Sequence, residues 1–210
     1  MPEFRQLLDG YDRFREGAWR EHRRRYEDLA SGQAPPVMVI ACSDSRVDPA
    51  TVFDTAPGQM FALRNVAALV PPFELGGGLH GVSAALEFGV RNLAVRHLVV
   101  MAHGGCGGCA AALNRTEGEP APTSFIDRWV DLAAPARRAV LDAAAHDPEL
   151  DRQTAMELAT VGLSLANLRS FPFVREREEA GSLKLHGTWF AVATGELLVL
   201  DEATGDFSPA

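Results

Sequence analysis

The sequence predicts an α/β protein: a central, mainly parallel sheet of four to five strands flanked by helices, led by a long N-terminal helical arm. Three observations predict it. Val37-Met38-Val39-Ile40-Ala41 and His97-Leu98-Val99-Val100-Met101-Ala102 are short apolar runs, rich in β-branched residues, as expected of strands buried on both faces. Between them Val82, Leu86 and Val90 recur at helical spacing over Leu79–Val95, the pattern of a crossover helix joining parallel strands. Ahead of both, Phe4, Leu7, Leu8, Tyr11 and Phe14, then Trp19, Tyr26 and Leu29, mark helix from about Glu3 to Ala30.

The elements follow in order. The aromatic-rich arm carries more apolar surface than one small sheet can cover, so it is expected to pack on a partner subunit. Its cluster Arg20, Arg23, Arg24 and Arg25 reads as a solvated face. Ser31-Gly32-Gln33-Ala34-Pro35-Pro36 ends the arm and leads into the first strand. Asp48-Pro49 turns into a short helix, Gln59–Val66 is a second strand, and Pro71–Gly78 is a loop. After the strand at His97, Cys109–Leu113 is helical, Pro120–Pro122 is a loop, and Thr123–Ala145 is helix broken near Pro135. Asp151 caps a helix reaching Leu168, which Phe171-Pro172-Phe173 ends. Leu183–Phe190 and Gly195–Leu200 form two strands around a turn, the last free to pair antiparallel at a sheet edge. No linker or repeat divides the chain, so residues 1–210 read as one domain.

Composition bounds the function. The 210 residues carry a net charge of −8, which argues against nucleic acid or an anionic membrane surface as partner. No apolar run reaches membrane-spanning length, and Met1-Pro2-Glu3-Phe4-Arg5 lacks the pattern of a signal peptide. Three cysteines make a disulfide framework improbable. A soluble, cytoplasmic protein with reduced thiols is the expectation.

The chemistry gathers where the two apolar runs end, since sites in open α/β sheets form at the carboxyl ends of strands. The first run delivers Cys42, Asp44 and Arg46 at alternate positions; the second delivers His103-Gly104-Gly105-Cys106. Two thiolates and an imidazole are a zinc set, and three protein ligands leave one tetrahedral vertex open, as catalytic sites do. Three other readings compete. A closed structural zinc would add Cys109. A redox pair would use Cys106-Gly107-Gly108-Cys109, but gives Cys42, His103 and the Asp44–Arg46 pair no role. A glycine-rich anion cradle explains the glycines but not the thiols, and lacks the Lys-Ser/Thr ending. Against the closed site, Cys109 lies in an Ala-rich stretch suited to core packing. A zinc module that merely binds a partner would need neither the open vertex nor the Asp44–Arg46 pair.

Cys-x-Asp-x-Arg after a strand, with His-x-x-Cys-Gly-Gly about sixty residues on, resembles the β-class carbonic anhydrases. Phe61-Ala62-Leu63-Arg64-Asn65-Val66-Ala67 is similar to that family's second strand, Val161–Leu168 to its late helix, and Leu185–Phe190 with Thr194–Leu197 to its last strands. The resemblance runs from about Gln33 to Leu200. It implies zinc held by Cys42, His103 and Cys106, and reversible hydration of carbon dioxide to bicarbonate by hydroxide supplied at that metal. It implies a homodimer or a dimer of dimers. It also implies an Asp44–Arg46 dyad, in which Arg46 holds the aspartate off the metal in the working state. Gln33 falls where the plant-like subgroup carries a glutamine that reaches across the dimer interface. Phe61, Val66 and Phe88 fall at apolar substrate-pocket positions, Phe88 replacing a common Tyr. Val39 replaces the Trp of a Trp-Arg-Tyr pocket in the bicarbonate-regulated subgroup. Arg64 remains there, with a structural ion pair as its other reading. Carbonyl sulfide or carbon disulfide would be the nearest rival substrates.

Two thiolates neutralise more of the zinc charge than neutral histidines do, so a coordinated water should be less acidic than in a three-histidine site. Activity is therefore expected to rise from pH 7 towards pH 8 and above; a stopped-flow rate flat or falling over that range would contradict the ligand set. His22, His80, His97, His146 and His186 are read as surface or structural, with a proton relay the alternative for one of them.

Overall fold

The architecture is that of a computed structural model describing residues 2–76, 78, 80–115 and 124–210. The arm is three helices, α1 (Pro2–Glu16), α2 (Ala18–Glu21) and α3 (Arg23–Leu29), rather than one. The first break falls at Gly17, which adopts φ −103°, ψ −102°; apart from proline, glycine is the residue least suited to a helix interior. No residue of α1 is buried: Phe4, Leu7 and Tyr11 are all more than half exposed. Trp19 lies between the Arg15 and Arg23 guanidinium groups, 4.6 and 5.9 Å from its ring centre. The arm meets the body at its end, where Arg25 Nε donates to the Pro57 carbonyl and Leu29 packs on Gly58.

β1 (Val37–Cys42) follows, with the short α4 (Pro49–Val52) capped by Asp48, whose carboxylate accepts from Thr51 N. Next come β2 (Met60–Asn65) and a 3₁₀ turn at Val66–Ala68. Then α5 (Gly81–Glu87) runs into a π-helical turn over Phe88–Asn92. This is the expected crossover helix; its first expected residue, Leu79, lies outside the described residues. β3 (His97–His103) leads to α6 (Gly107–Leu113). The expected loop at 120–122, and Thr123, also lie outside the described residues. Beyond them α7 (Phe125–Val130) and α8 (Ala134–His146) flank a 3₁₀ turn at Asp131–Ala133, so the break precedes Pro135, which starts α8. Then come α9 (Arg152–Ser170) and α10 (Pro172–Glu179), the latter not expected from sequence: Phe171-Pro172 ends α9 and starts another helix, with Pro172 in its first turn. β4 (Lys184–Phe190), β5 (Leu197–Leu200) and β6 (Phe207–Pro209) complete the chain.

The sheet order is β2-β1-β3-β4-β5-β6, parallel through β4 and antiparallel for the last two strands. It has six strands rather than four to five. β1 is central enough that Met38 to Cys42 are all buried, and its side chains feed two cores. One face packs Met38, Ile40, Leu98 and Val100 against Leu86, Val90, Leu165 and Phe171. The other packs Val39, Met101 and Cys42 against Cys106, Ala112, Val140 and Met156. Helix α9 serves both.

That helix begins at Asp151, whose carboxylate accepts from Gln153 N and Thr154 N. Asp151→Ala is expected to lower stability by about 1 kcal/mol. Its hydrogen bonds to Thr154 hold the Asp151 carboxyl below the usual carboxylate range. The cap's contribution is therefore full above the unfolded value near pH 4 and is lost as pH falls through the lower folded value. Urea midpoints of parent and variant should differ at pH 7 and converge in strong acid. Among the described residues no helix is long and apolar enough to cross a membrane.

Candidate metal centre

β1 and β3 are adjacent and parallel, with Ala41 level with Met101, so both release their last residues at one sheet edge. There Cys42, His103 and Cys106 come together, all buried, with ligand atoms within 4.8 Å of one another. Cys42 Sγ and Cys106 Sγ lie 3.9 Å apart and no disulfide joins them. The turn between His103 and Cys106 requires a left-handed residue, and Gly105 supplies it at φ 67°. At Gly108 a Cβ would stand 2.6 Å from Val66 Cγ1, so a glycine lets α6 close on the 3₁₀ turn. In that turn Ala67, itself left-handed at φ 63°, directs its N–H to Cys42 Sγ at 3.3 Å.

The donor set fits a metal. His103 Nδ1 lies 3.0 Å from the Gly104 carbonyl, which can only accept, so Nδ1 carries the proton and Nε2 the lone pair. His103 Nε2 is buried with no hydrogen-bond partner, an arrangement a coordinated cation resolves. Its neighbour Cys106 and burial push the Cys42 thiol up to about 12, and Cys109 and burial push Cys106 up to about 11. Two buried sulfurs this close become thiolates together only with a cation between them. Cys109 is not among the clustered ligands; its sulfur faces Thr160 Oγ1 at 3.7 Å on α9, as a core cysteine does.

Asp44 stands beside this set but is held by Arg46. Arg46 Nε donates to Asp44 Oδ1 at 2.9 Å, Nη2 to Oδ2 at 2.7 Å, and the Arg46 backbone N–H to Oδ1 at 2.9 Å. Arg46 Nη2 also reaches the Gly105 carbonyl at 3.0 Å, tying the two ligand segments together. The Arg46 guanidinium holds the Asp44 carboxyl well below the usual carboxylate range. Asp44 Oδ2 lies 3.8 Å from His103 Nε2, poised beside the ligands.

Other expected site residues divide. Val66 lies at the metal end: its neighbour Ala67 donates to Cys42, and its own carbonyl accepts from Trp129 Nε1 at 2.8 Å. Phe61 and Phe88 pack together, ring centres 5.8 Å apart, but not beside the metal ligands of their own chain. Phe61 is level with Met38 and Asn65 with Cys42, so Phe61 sits four residues back along the sheet, roughly 13 Å from the ligand end. An apolar wall of Phe61, Val66 and Phe88 is thus not assembled within one chain. Gln33 is exposed before β1, in a groove with Tyr26, Leu29 and Pro57, also at the amino edge of the sheet.

Arg64 proves structural. It donates to the carbonyls of Cys42 (2.9 Å), Asp44 (2.6 Å) and Val47 (3.1 Å) and pairs with Asp48. The remaining histidines lie elsewhere: His80 bonds the Gly76 carbonyl, His146 that of Asp142, and His97 Nδ1 meets His186 Nε2 at 3.0 Å across the far end of β3 and β4. One contact had no sequence signal. Glu157 of α9 is fully buried against Cys106, and only its charge, on a face it shares with Thr160, Val161, Ser164 and Leu165, could have marked it.

A doubly wound sheet carrying a buried Cys–His–Cys set, with a carboxylate–guanidinium pair alongside, defines a zinc metalloenzyme of the α/β class. Residues 37–197 match the family model described as carbonic anhydrase, and the chain belongs to that family, in its β class. It is 32% identical over 205 residues to a carbonic anhydrase of Synechocystis, covering 96% of this chain and 73% of that protein. It is 41% identical over 166 residues to beta carbonic anhydrase 5, chloroplastic, of Arabidopsis thaliana, covering 79% of this chain and 54% of that protein. Among solved structures, the β-carbonic anhydrase CcaA superposes with a TM-score of 0.91 at 30% identity, over 100% of this chain and 93% of that one. One of two tetrameric β-carbonic anhydrases from Sordaria macrospora superposes with a TM-score of 0.83 at 26% identity, over 95% and 98%. Zinc is the metal of this family, and its reaction is the reversible hydration of carbon dioxide.

Proposed function

We propose that Cys42, His103 and Cys106 hold the zinc, that Asp44 and Arg46 orient the nucleophile, and that a second copy of the chain completes the carbon dioxide pocket. The observation that carries this reading is the Asp44 carboxylate, fixed by three hydrogen bonds from Arg46 while its Oδ2 stays 3.8 Å from His103 Nε2. Zinc, when bound, supplies hydroxide near neutral pH by acidifying a water. Asp44 accepts the hydrogen of the attacking oxygen and so aims a lone pair at the substrate carbon. Because Arg46 keeps Asp44 ionised across the assay range, the rise in activity above pH 7 is not a titration of this carboxyl.

Carbon dioxide needs an apolar wall and a donor for the oxygen on which charge develops. Val66 supplies part of the wall from the same chain. Gln33, Phe61 and Phe88 lie at the opposite end of the strands. Phe61 is on edge strand β2, and Phe88 is 44% exposed. These residues are placed to serve a neighbouring copy, with the Gln33 amide as donor. The exposed stripe of α1 needs a partner for the same reason, and the tetrameric Sordaria relatives support a dimer or dimer of dimers here. Its three free, buried cysteines suit a reducing compartment, and we assign the cytoplasm.

Stopped-flow carbon dioxide hydration, before and after chelation and with carbonyl sulfide and carbon disulfide as competing substrates, tests the activity. Chelation should abolish it and zinc restore it; turnover of only the sulfur substrates would replace this reading. Removing residues 1–30 should lower the mass measured by light scattering towards that of one chain, and an unchanged mass would free the arm from any interface role.

A further inference from the structure

We propose that Glu157 is a positioning residue of the metal centre: a buried carboxylate that locks the backbone of Cys106 and so aims its sulfur. Glu157 is fully buried, and among the described residues it forms no ion pair. A buried carboxylate is costly unless its oxygens are fully bonded, and a helix that needed only packing would place an apolar side chain here. Its bonds all run in one sense. The Cys106 N–H donates to Oε1 at 2.8 Å, Gln153 Nε2 to Oε1 at 2.6 Å, and Trp189 Nε1 to Oε2 at 3.0 Å. Three donors meet an acceptor-only group, which is what a carboxylate supplies and an amide does not.

The same Gln153 amide donates to the Cys106 carbonyl at 3.1 Å. Cys106 is thus held at both its N–H and its C=O by side chains one helical turn apart on α9, with Trp189 of β4 steadying the carboxylate from the sheet. With both peptide units fixed, only the χ1 rotation of Cys106 is left to place the sulfur. Supporting partners of this kind typically change metal affinity 10–100-fold when lost.

The inference rests on the zinc site above, and the experiment separates the two. Zinc content of the parent protein tests the site. Zinc competition against a chromophoric chelator, with the thiolate-to-metal absorption of the cobalt-substituted protein, tests Glu157. Glu157→Gln keeps the size but turns an NH₂ towards one of the three donors. It is expected to weaken zinc binding by about 10–100-fold and to shift the cobalt–thiolate band, effects that loss of stability alone would not produce in protein confirmed folded by circular dichroism. Gln153→Ala, at a half-buried position, removes the grip on the Cys106 carbonyl and is expected to weaken zinc binding in the same direction. Parental zinc affinity and an unshifted cobalt spectrum in folded Glu157→Gln would overturn the proposal. Should Glu157→Gln fail to fold, parental affinity in Gln153→Ala would overturn it instead.

Discussion

Asp44→Ala is expected to lower kcat for carbon dioxide hydration by about 100-fold or more while zinc content stays at the parental level. The carboxylate is not among the clustered ligand atoms, although its Oδ2 lies 3.8 Å from His103 Nε2, and both of its oxygens are engaged by Arg46. Removing it leaves the Cys–His–Cys set intact but frees the nucleophile to turn. Metal analysis by atomic absorption alongside stopped-flow kinetics separates the outcomes. Loss of zinc together with activity would show that Asp44 is a constitutive ligand and that the pairing with Arg46 is not the working state. The pair itself is half exposed on the arginine side, so its value lies in geometry rather than in stability.

Arg64→Leu is expected to destabilise the fold by about 3 kcal/mol and to reduce activity as well. Its guanidinium satisfies the carbonyls of Cys42, Asp44 and Val47, the successive bends of the segment that carries the thiol and the carboxylate. Leucine fills the space but takes a donor from three carbonyls of a half-buried segment, of which that of Asp44 keeps another, the Val47 N–H. Urea unfolding gives the first number and hydration kinetics the second. A variant that lost activity with unchanged stability would point instead to a direct role for Arg64 at substrate. Bicarbonate that inhibited the parent would point the same way, because among the described residues the hydrogen bonds and ion pair of this side chain run to Cys42, Asp44, Val47 and Asp48, and Val39 offers no aromatic wall beside it.

Much of this site was legible because it is local. Cys42 and His103 each end an uninterrupted apolar run, and a parallel sheet sends such residues to one edge. Asp44 and Arg46 are two residues apart, close enough to pair without help from the rest of the chain. Other features depend on contacts distant in sequence. β6 has three residues, includes Pro209, and shows no alternation; it exists because the chain reverses at Gly205 and finds the free edge of β5. The placement of Phe61 depends on a register, Met38 against Phe61, that no composition of either strand dictates. The arm's breaks at Gly17 and His22 interrupt a periodicity that otherwise runs on. Glu157 reads in the sequence as one more charged residue of a helix.

The order of residues by itself determined the α/β class, the two strand ends and the chemical make-up of the Cys–His–Cys set, since periodicity, chain direction and side-chain type are properties of short segments. Tertiary structure alone decided that Cys109 turns to Thr160, that Arg64 braces the ligand-bearing loop, and that Phe61 and Phe88 lie at the wrong end of the sheet for their own metal. Each of those depends on which segments the two cores bring into contact, and burial against a distant partner is a property of the packed chain, not of any stretch of it.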